Sequence, residues 1–207
     1  MVAKFRNSGQ TCVSSNRILV QEDVAEEYIE KLAAAFDKLK CGDGSQPGVT
    51  IGPLINAAQT SKVKSLVDDA LSKGAKAVRW GQQLSELGEL FYAPTLLTNI
   101  TSDMLVYEEE IFGPVAPIIT FKNEEDAIRI ANSTNRGLAG YFYSDSVTQC
   151  WRVARKLEVG MVGINEGLIS SAEAAFGGIK ESGIGREGSH HGIDDYTYIK
   201  YLCFGGL

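Results

Sequence analysis

Short apolar runs alternate with segments of helical periodicity along most of this 207-residue chain. The periodicity predicts helices at residues 23–39, 56–73, 124–133 and 147–157, and the apolar runs predict strands at 17–21, 75–80, 115–121, 138–143 and 161–164. Strands that alternate with helices form βαβ units, which give a parallel sheet with right-handed crossovers. The predicted fold is therefore α/β, an open and largely parallel sheet flanked by helices, in one domain.

Local signals support two details of this pattern and weaken a third. Asn123 and Ser146 precede helical segments as capping residues. Asp23 followed by Glu26 resembles a capping box at the start of the first long helix. Pro117 lies inside the apolar run 115–121 and argues against an interior position for that strand, because proline donates no backbone hydrogen bond.

The charge and hydropathy of the chain exclude several classes of protein. A net charge of −6, with lysines scattered among acidic residues, argues against nucleic-acid binding, which needs a basic face. No apolar run approaches the ~18 residues of a membrane span. The first residues form neither a secretory signal nor a transit peptide. We expect an intracellular location, with neither membrane nor nucleic acid as a partner.

The four cysteines are widely and irregularly spaced, at positions 12, 41, 150 and 203. They form no C-x-x-C pair and have no histidine at zinc-ligand spacing, so we predict no metal site. The spacing is typical of reduced intracellular thiols. Cys41, Cys150 and Cys203 are predicted to be inert, since free cysteine most often behaves as a small buried hydrophobe.

Cys12 admits two interpretations from its surroundings, Gly9-Gln10-Thr11-Cys12-Val13-Ser14-Ser15-Asn16. If the glycine turn leads into a short helix, Cys12 lies at its N-terminus, where free N–H groups stabilise a thiolate and an oxyanion formed on an attacked carbonyl. The alternative is an ordinary buried cysteine.

Two further segments stand apart from the alternating pattern. The glycine-rich loop 167–188 follows the last predicted strand, at the edge of a parallel sheet where functional groups gather. Residues 196–204 form an aromatic and β-branched run with no partner strand in the sequence. An unpaired strand of this kind predicts either a swapped dimer or an aggregation-prone tail.

Three segments, KFRNSGQTCVSSNRILVQ, EEEIFGPVAPI and AFGGIKESGIGREG, resemble the signatures of the aldehyde dehydrogenases and occur in that family's order. The resemblance runs from Val2 to the end of the chain. It implies a catalytic domain over residues 1–195 and a C-terminal strand of the oligomerisation region over 196–207, through which a homo-oligomer would form. It also implies that the NAD(P)-binding domain, the general-base glutamate and an oxyanion asparagine are absent from this chain.

The resemblance assigns the chemistry to Cys12, which would add to an aldehyde, pass a hydride to NAD or NADP and be released by hydrolysis of a thioester. Glu110 would bind the hydroxyls of the nicotinamide ribose, and Phe112 would pack against that end of the cofactor. Without the resemblance, Glu110 belongs to a solvated acidic turn and Phe112 to the core. The cofactor site in this chain would be incomplete.

Arg6, together with the segments GMVGINEGLISS and YIKYLCFGGL, is similar to the members of the family that oxidise succinate semialdehyde. In that subgroup Arg6 and Ser170 would bind the substrate carboxylate, Phe176 would wall the aldehyde end, and Glu187 would line a proton path. A surface ion pair is the alternative for Arg6. Many of these proteins carry a second cysteine where this chain has Ser14, so no regulatory disulfide through that position is expected.

Three functions remain in view. The first is the catalytic portion of an NAD(P)-dependent semialdehyde dehydrogenase, inactive in isolation, in the cytoplasm or the mitochondrial matrix. The second is a non-catalytic fragment that pairs with full-length subunits through residues 196–204. The third is a cofactor-free thiol esterase that uses Cys12. A Cys–His hydrolase built on His190 or His191 is disfavoured, because the family resemblance accounts for much more of the chain.

Overall fold

The computed structural model describes residues 1–79, 84 and 86–206. Backbone contacts divide the chain into two compact units, Met1–Thr134 and Asn135–Leu207. The sequence predicts one domain and gives no sign of this division, because no linker composition marks position 134. Units defined by contacts are not functional domains, so the functional boundary at residue 195 stays a prediction.

Over its described residues, the first unit contains a four-stranded sheet and five α-helices. Its strands are β1 Ile18–Gln21, β2 Lys76–Arg79, β3 Thr95–Thr98 and β4 Val115–Phe121, and its helices are α1 Val2–Phe5, α2 Ala25–Phe36, α3 Ala57–Ser72, α4 Leu105–Glu108 and α5 Glu124–Asn132. The strand order is β1-β4-β3-β2. The pairs β1–β4 and β3–β4 are parallel, while β2 runs antiparallel to β3. The predicted α/β fold with a largely parallel sheet is confirmed.

Adjacent residues of the central strands point into two different hydrophobic clusters. Leu97, Val115 and Ile119 pack with Val63 and Val67 of α3. Leu96, Ala116 and Ile118 pack with Phe36 of α2 and with Phe5. This alternation buries both faces of β3 and β4, which explains why the sequence of β4 is apolar almost throughout. Pro117 belongs to β4, between β1 and β3, so the argument against an interior position was wrong.

The helix ends follow the predicted caps at two places and depart from them at one. The side chains of Asn123 and Ser146 accept hydrogen bonds from Asp126 N–H and Gln149 N–H. The predicted capping box at Asp23 is wrong. Residues Glu22–Val24 form a 3₁₀ turn, and α2 begins after Val24, whose side chain makes no cap hydrogen bond.

The second unit contains the parallel pair β5 Ala139–Phe142 and β6 Met161–Ile164, joined by α6 Val147–Lys156. Loop 167–188 contains a 3₁₀ turn at Lys180–Ser182 and an isolated antiparallel bridge between Phe176 and Glu187. After a second 3₁₀ turn at His190–Tyr196, residues 197–206 lie in no helix or strand and are exposed. The predicted C-terminal strand is not confirmed.

Over the residues that the structure describes, no helix is both long and apolar enough to cross a bilayer.

Candidate functional site

The backbone before Cys12 is strained and held in place by side chains. Asn7, Ser8 and Gly9 all have positive φ, at 52°, 58° and 78°, a conformation that residues other than glycine rarely adopt. The Ser8 hydroxyl donates to Gly52 C=O at 3.1 Å and accepts from Gly52 N–H at 3.0 Å. Strain of this kind persists where surrounding contacts over-determine the backbone, and it is common at functional sites.

Gln10 adds a second anchor to this loop. Its side-chain oxygen accepts from Ile55 N–H at 2.9 Å, and its Nε2 donates to Pro53 C=O at 3.3 Å. Gly9 and Gln10 therefore fix the direction from which the chain enters the turn that carries Cys12.

Cys12 lies in a turn and not in a helix. Ser14 N–H donates to Thr11 C=O at 3.0 Å, and Cys12 is exposed. The predicted short helix at this position is wrong. Residues 7–9 are the last three of the 3₁₀ turn Arg6–Gly9, they are left-handed, and no helix follows them. The interpretation as a buried core cysteine is also wrong. Within the described part of the chain, the N–H of Cys12 donates to no protein acceptor.

The segment Glu109–Gly113 is held by side chains from two directions. Lys62 Nζ of α3 donates to Glu110 C=O at 2.7 Å, and Gln59 Nε2 donates to the carbonyls of Ile111 and Phe112 at 2.9 and 3.0 Å. Asn16, four positions after Cys12, hydrogen-bonds Glu109 and Ile111. Each carbonyl from Glu109 to Phe112 thus receives a side-chain hydrogen bond.

Glu110 and Phe112 present different surfaces from this segment. Glu110 is exposed, whereas Phe112 is half-buried and has a left-handed backbone, φ 50°. An exposed carboxylate beside an aromatic ring on a rigid backbone suits the hydroxyls and the flat ring of a nicotinamide riboside, so these residues fit the expected cofactor.

Arg6 is exposed at the junction of α1 with the following 3₁₀ turn. No carboxylate of the described residues lies within salt-bridge distance of its guanidinium. The alternative of a surface ion pair is therefore not observed. A guanidinium with unused donors is suited to a carboxylate ligand.

Lys4 is a buried ionisable side chain that sequence reasoning missed. It is 4% exposed, and burial lowers its pKa to about 7, although the negative charge of Glu110 acts in the opposite direction. Its carbonyl accepts from the Ser14 hydroxyl at 3.0 Å. Lys4 therefore interacts with both segments: its ammonium group with the charge of Glu110, and its carbonyl with Ser14 of the Cys12 loop.

In the second unit, three predicted residues come together. Ser170, Phe176 and Glu187 line an open cavity of about 410 Å³, with Ser171, Ala172 and Gly188. Phe176 and Glu187 are paired across an antiparallel bridge, with N–H···O distances of 2.8 and 2.7 Å. The functional role predicted for the glycine-rich loop stays a prediction, and the structure brings these three residues of the loop to one cavity.

Sequence reasoning missed Asn16, Gln59 and Lys62. For Gln59 a weak signal exists, since Asn56 caps α3 and accepts from Gln59 N–H, so Gln59 lies in the first helical turn. Asn16 and Lys62 carry no local signal, because their partners are about 50 to 95 positions away.

Comparisons with known proteins identify relatives over the whole length of the chain. The family model described as "Aldehyde dehydrogenase family" matches residues 1–202. The rat protein named succinate-semialdehyde dehydrogenase, mitochondrial, is 56% identical over 208 aligned residues, which cover 100% of this chain and 40% of that protein.

Two solved structures superpose closely on the chain. The succinate-semialdehyde dehydrogenase of Burkholderia pseudomallei has a TM-score of 0.95 and 54% identity, covering 98% of this chain and 42% of that one. An E. coli structure described as an NADP dependent enzyme has a TM-score of 0.96 and 50% identity, covering 99% and 42%. The chain thus spans about two-fifths of the length of these relatives.

Proposed function

Because the chain belongs to the aldehyde dehydrogenase family, we propose that it is the cysteine-bearing portion of an NAD(P)-dependent enzyme that oxidises succinate semialdehyde to succinate. The observation that carries this proposal is the exposed Cys12 thiol in a side-chain-anchored turn, six positions after the unpaired guanidinium of Arg6. The names of the rat and Burkholderia relatives point to the same substrate.

In the proposed reaction, the Cys12 sulfur adds to the aldehyde carbon and gives a thiohemiacetal. The developing oxyanion accepts a hydrogen bond from the free N–H of Cys12. Loss of a hydride and a proton converts the thiohemiacetal to a thioester, and NAD(P)⁺ supplies the hydride acceptor when bound. Water then cleaves the carbon–sulfur bond, which releases the acid and restores the thiol.

The remaining site residues are proposed to bind and orient the substrate and one end of the cofactor. Arg6 forms two parallel hydrogen bonds to the substrate carboxylate, and Ser170 adds a third. Phe176 walls the aldehyde end, and Glu187 lines the path of the proton released at the thioester. Glu110 and Phe112 hold the nicotinamide ribose, while the other cofactor contacts lie outside this chain.

The cofactor is NAD or NADP, and the E. coli relative is described as NADP dependent. We propose that the chain alone is inactive, because the family places its dinucleotide-binding domain in the part of the polypeptide that this chain does not span. The rat relative carries "mitochondrial" in its name, and a reducing compartment, mitochondrial matrix or cytoplasm, suits four free cysteines.

The first test measures NADH and NADPH formation from succinate semialdehyde. It compares the chain alone, the chain joined to the remaining part of the rat relative, and the same chimera with Cys12→Ala. We expect activity only in the chimera that retains Cys12. Activity of the isolated chain would contradict the proposed incompleteness, and an active Cys12→Ala chimera would contradict the proposed nucleophile.

A second test needs no cofactor. Succinate semialdehyde should protect Cys12 from alkylation by iodoacetamide, because a thiohemiacetal removes the free thiol. Butyraldehyde, which lacks the carboxylate, should protect less, and Arg6→Ala should abolish the difference between the two aldehydes. Equal protection by both aldehydes in the unsubstituted chain would overturn the role of Arg6.

Exposed apolar side chains in the tail favour a second candidate, a non-catalytic fragment that pairs with full-length subunits. Tyr198, Ile199 and Tyr201 are 80%, 101% and 84% exposed. Such a run has much to gain from pairing with another chain. Co-purification with a full-length subunit, lost on truncation after Asp195, would support this candidate.

The exposed thiol also keeps the esterase candidate testable. An accessible Cys12 can accept an acyl group from an activated ester without any cofactor. Turnover of such an ester that survives Cys12→Ala would exclude this role for Cys12.

A further inference from the structure

Asn16 connects the Cys12 loop to the segment that carries Glu110. Its Nδ2 donates to Glu109 C=O at 2.8 Å, and its Oδ1 accepts from Ile111 N–H at 2.9 Å. The two bonds bracket Glu110, on the residues immediately before and after it. An amide side chain can donate through its nitrogen and accept through its oxygen at the same time.

The other two clamps on this segment come from a different element. Gln59 and Lys62 belong to α3, so they fix the segment relative to that helix. Asn16 belongs to the same stretch of chain as Cys12, just before β1. Among these three side chains, Asn16 is thus the one that relates the position of Glu110 directly to that of the thiol.

Backbone packing supports the same link at the other end of the two segments. An ideal Cβ placed on Gly9 would lie 2.3 Å from Gly113 C=O. The Cys12 loop therefore meets the Glu110 segment at Gly9 before the cysteine and at Asn16 after it. One contact before Cys12 and one after it together resist rotation of the two segments against each other better than a single contact would.

From this geometry we propose that Asn16 is a positioning residue, which sets the place of the Glu110 carboxylate relative to the Cys12 sulfur. The inference rests on the proposed function, in which Glu110 holds the nicotinamide ribose and Cys12 holds the aldehyde. Asn16 itself touches neither ligand in this scheme. Its loss should misplace the cofactor relative to the thiol while the turn around Cys12 remains formed.

The first measurement is amide hydrogen exchange on the chain itself. Asn16→Ala removes the acceptor of Ile111 N–H, so exchange at Ile111 should accelerate by about tenfold or more. Asn16→Asp keeps an acceptor and should restore slow exchange at Ile111. Asn123→Ala is the matched control, because the side chain of that asparagine caps α5 by accepting from Asp126 N–H. Unchanged exchange at Ile111 in Asn16→Ala would overturn the proposal.

The second measurement is NADH binding by the chimera with the rat relative, followed by nicotinamide fluorescence. Asn16→Ala should raise the dissociation constant by about tenfold, Asn16→Asp by less, and Asn123→Ala by under about twofold. In the oxidation assay, the KM for the dinucleotide should rise while the KM for the aldehyde stays within about twofold. A dissociation constant for NADH within twofold of the parent's would show that Asn16 has a structural role only.

The two ideas fail in different ways. A chimera that binds NADH but does not oxidise succinate semialdehyde would contradict the proposed function, while the binding data would still decide the role of Asn16. A chimera with native exchange behaviour that binds no NADH would overturn both.

Discussion

The backbone of Gly113 lies so close to Gly9 that no side chain fits on Gly9. A Cβ on Gly9 would lie 2.3 Å from the oxygen and 2.8 Å from the carbon of Gly113 C=O, and 3.3 Å from Lys4 C=O. The contact joins the loop that carries Cys12 to the segment that carries Glu110. The contact is one reason for a glycine at position 9. The backbone angle there, φ 78°, is a second reason, because glycine adopts positive φ without steric cost.

The first prediction concerns Gly9→Ala. Left-handed backbone costs a residue with a Cβ about 1–2 kcal/mol, and the overlap with Gly113 adds to that cost. Gly48→Ala is the matched control, because Gly48 has the same φ of 78° with nothing within 4 Å of its added Cβ. Urea unfolding should show a larger loss for Gly9→Ala. Equal losses would mean that strain alone, without the contact, decides the effect.

The second prediction concerns the pH dependence of stability. Burial lowers the pKa of Lys4 to about 7 from its ordinary value of 10.5. Between these values the unfolded chain binds more protons at Lys4 than the folded chain does, so the free energy of unfolding should rise with pH from about 7 to about 10. Lys4→Met should flatten that rise.

The measurement is urea unfolding near pH 7 and near pH 9. Lys38→Met provides the control, since Lys38 is exposed. A rise with pH that persists unchanged in Lys4→Met would assign the effect to another group.

Much of the fold could be predicted from the sequence, because most of its helices and strands have local sequence signals. Alternating apolar and helical periodicity located every strand of the described residues except β3, and Asn123 and Ser146 marked helix starts. β3 was missed because its sequence, two leucines between threonines directly after Pro94, shows no alternation of apolar and polar residues. The argument from Pro117 failed because burial of β4 on both faces outweighs one missing backbone donor.

The site could be predicted only in part. The resemblance assigns Cys12, Glu110 and Phe176 to the site, and these assignments stay predictions. Nothing local revealed that residues 7–9 are left-handed and that no helix forms at Cys12. Asn16 and Lys62 act on backbone groups far along the chain, and such pairs follow from the packed structure. Sequence periodicity reports which face of an element is buried and carries no record of these bonds.

The third prediction concerns Arg17. Its guanidinium donates to Ile130 C=O at 3.0 Å and to Ala131 C=O at 2.9 Å, at the end of α5, and lies 5.1 Å from the ring centre of Tyr107. Arg17→Lys keeps the charge but loses the planar fork and should cost about 1–3 kcal/mol of stability.

Arg129→Lys is the control for this substitution. Arg129 pairs with Asp126 at the surface, where its side chain is 71% exposed, so its replacement should cost less than about 0.5 kcal/mol. Urea unfolding of both variants gives the comparison. A loss for Arg17→Lys as small as that for Arg129→Lys would show that the fork contributes little.

The last prediction concerns the C-terminal tail. The tail exposes large apolar side chains: Tyr196 84%, Ile199 101%, Leu202 65% and Phe204 79%. Burial of this apolar surface against a second chain would be favourable. We expect the chain to self-associate with a concentration dependence visible in sedimentation velocity, and truncation after Asp195 to shift it towards the monomer. A variant with Tyr198→Lys and Tyr201→Lys keeps the chain length and tests whether apolar surface drives association, since charge on an edge opposes strand pairing. Association that survives both changes would place the interface elsewhere and would remove the support for a pairing strand at residues 196–204.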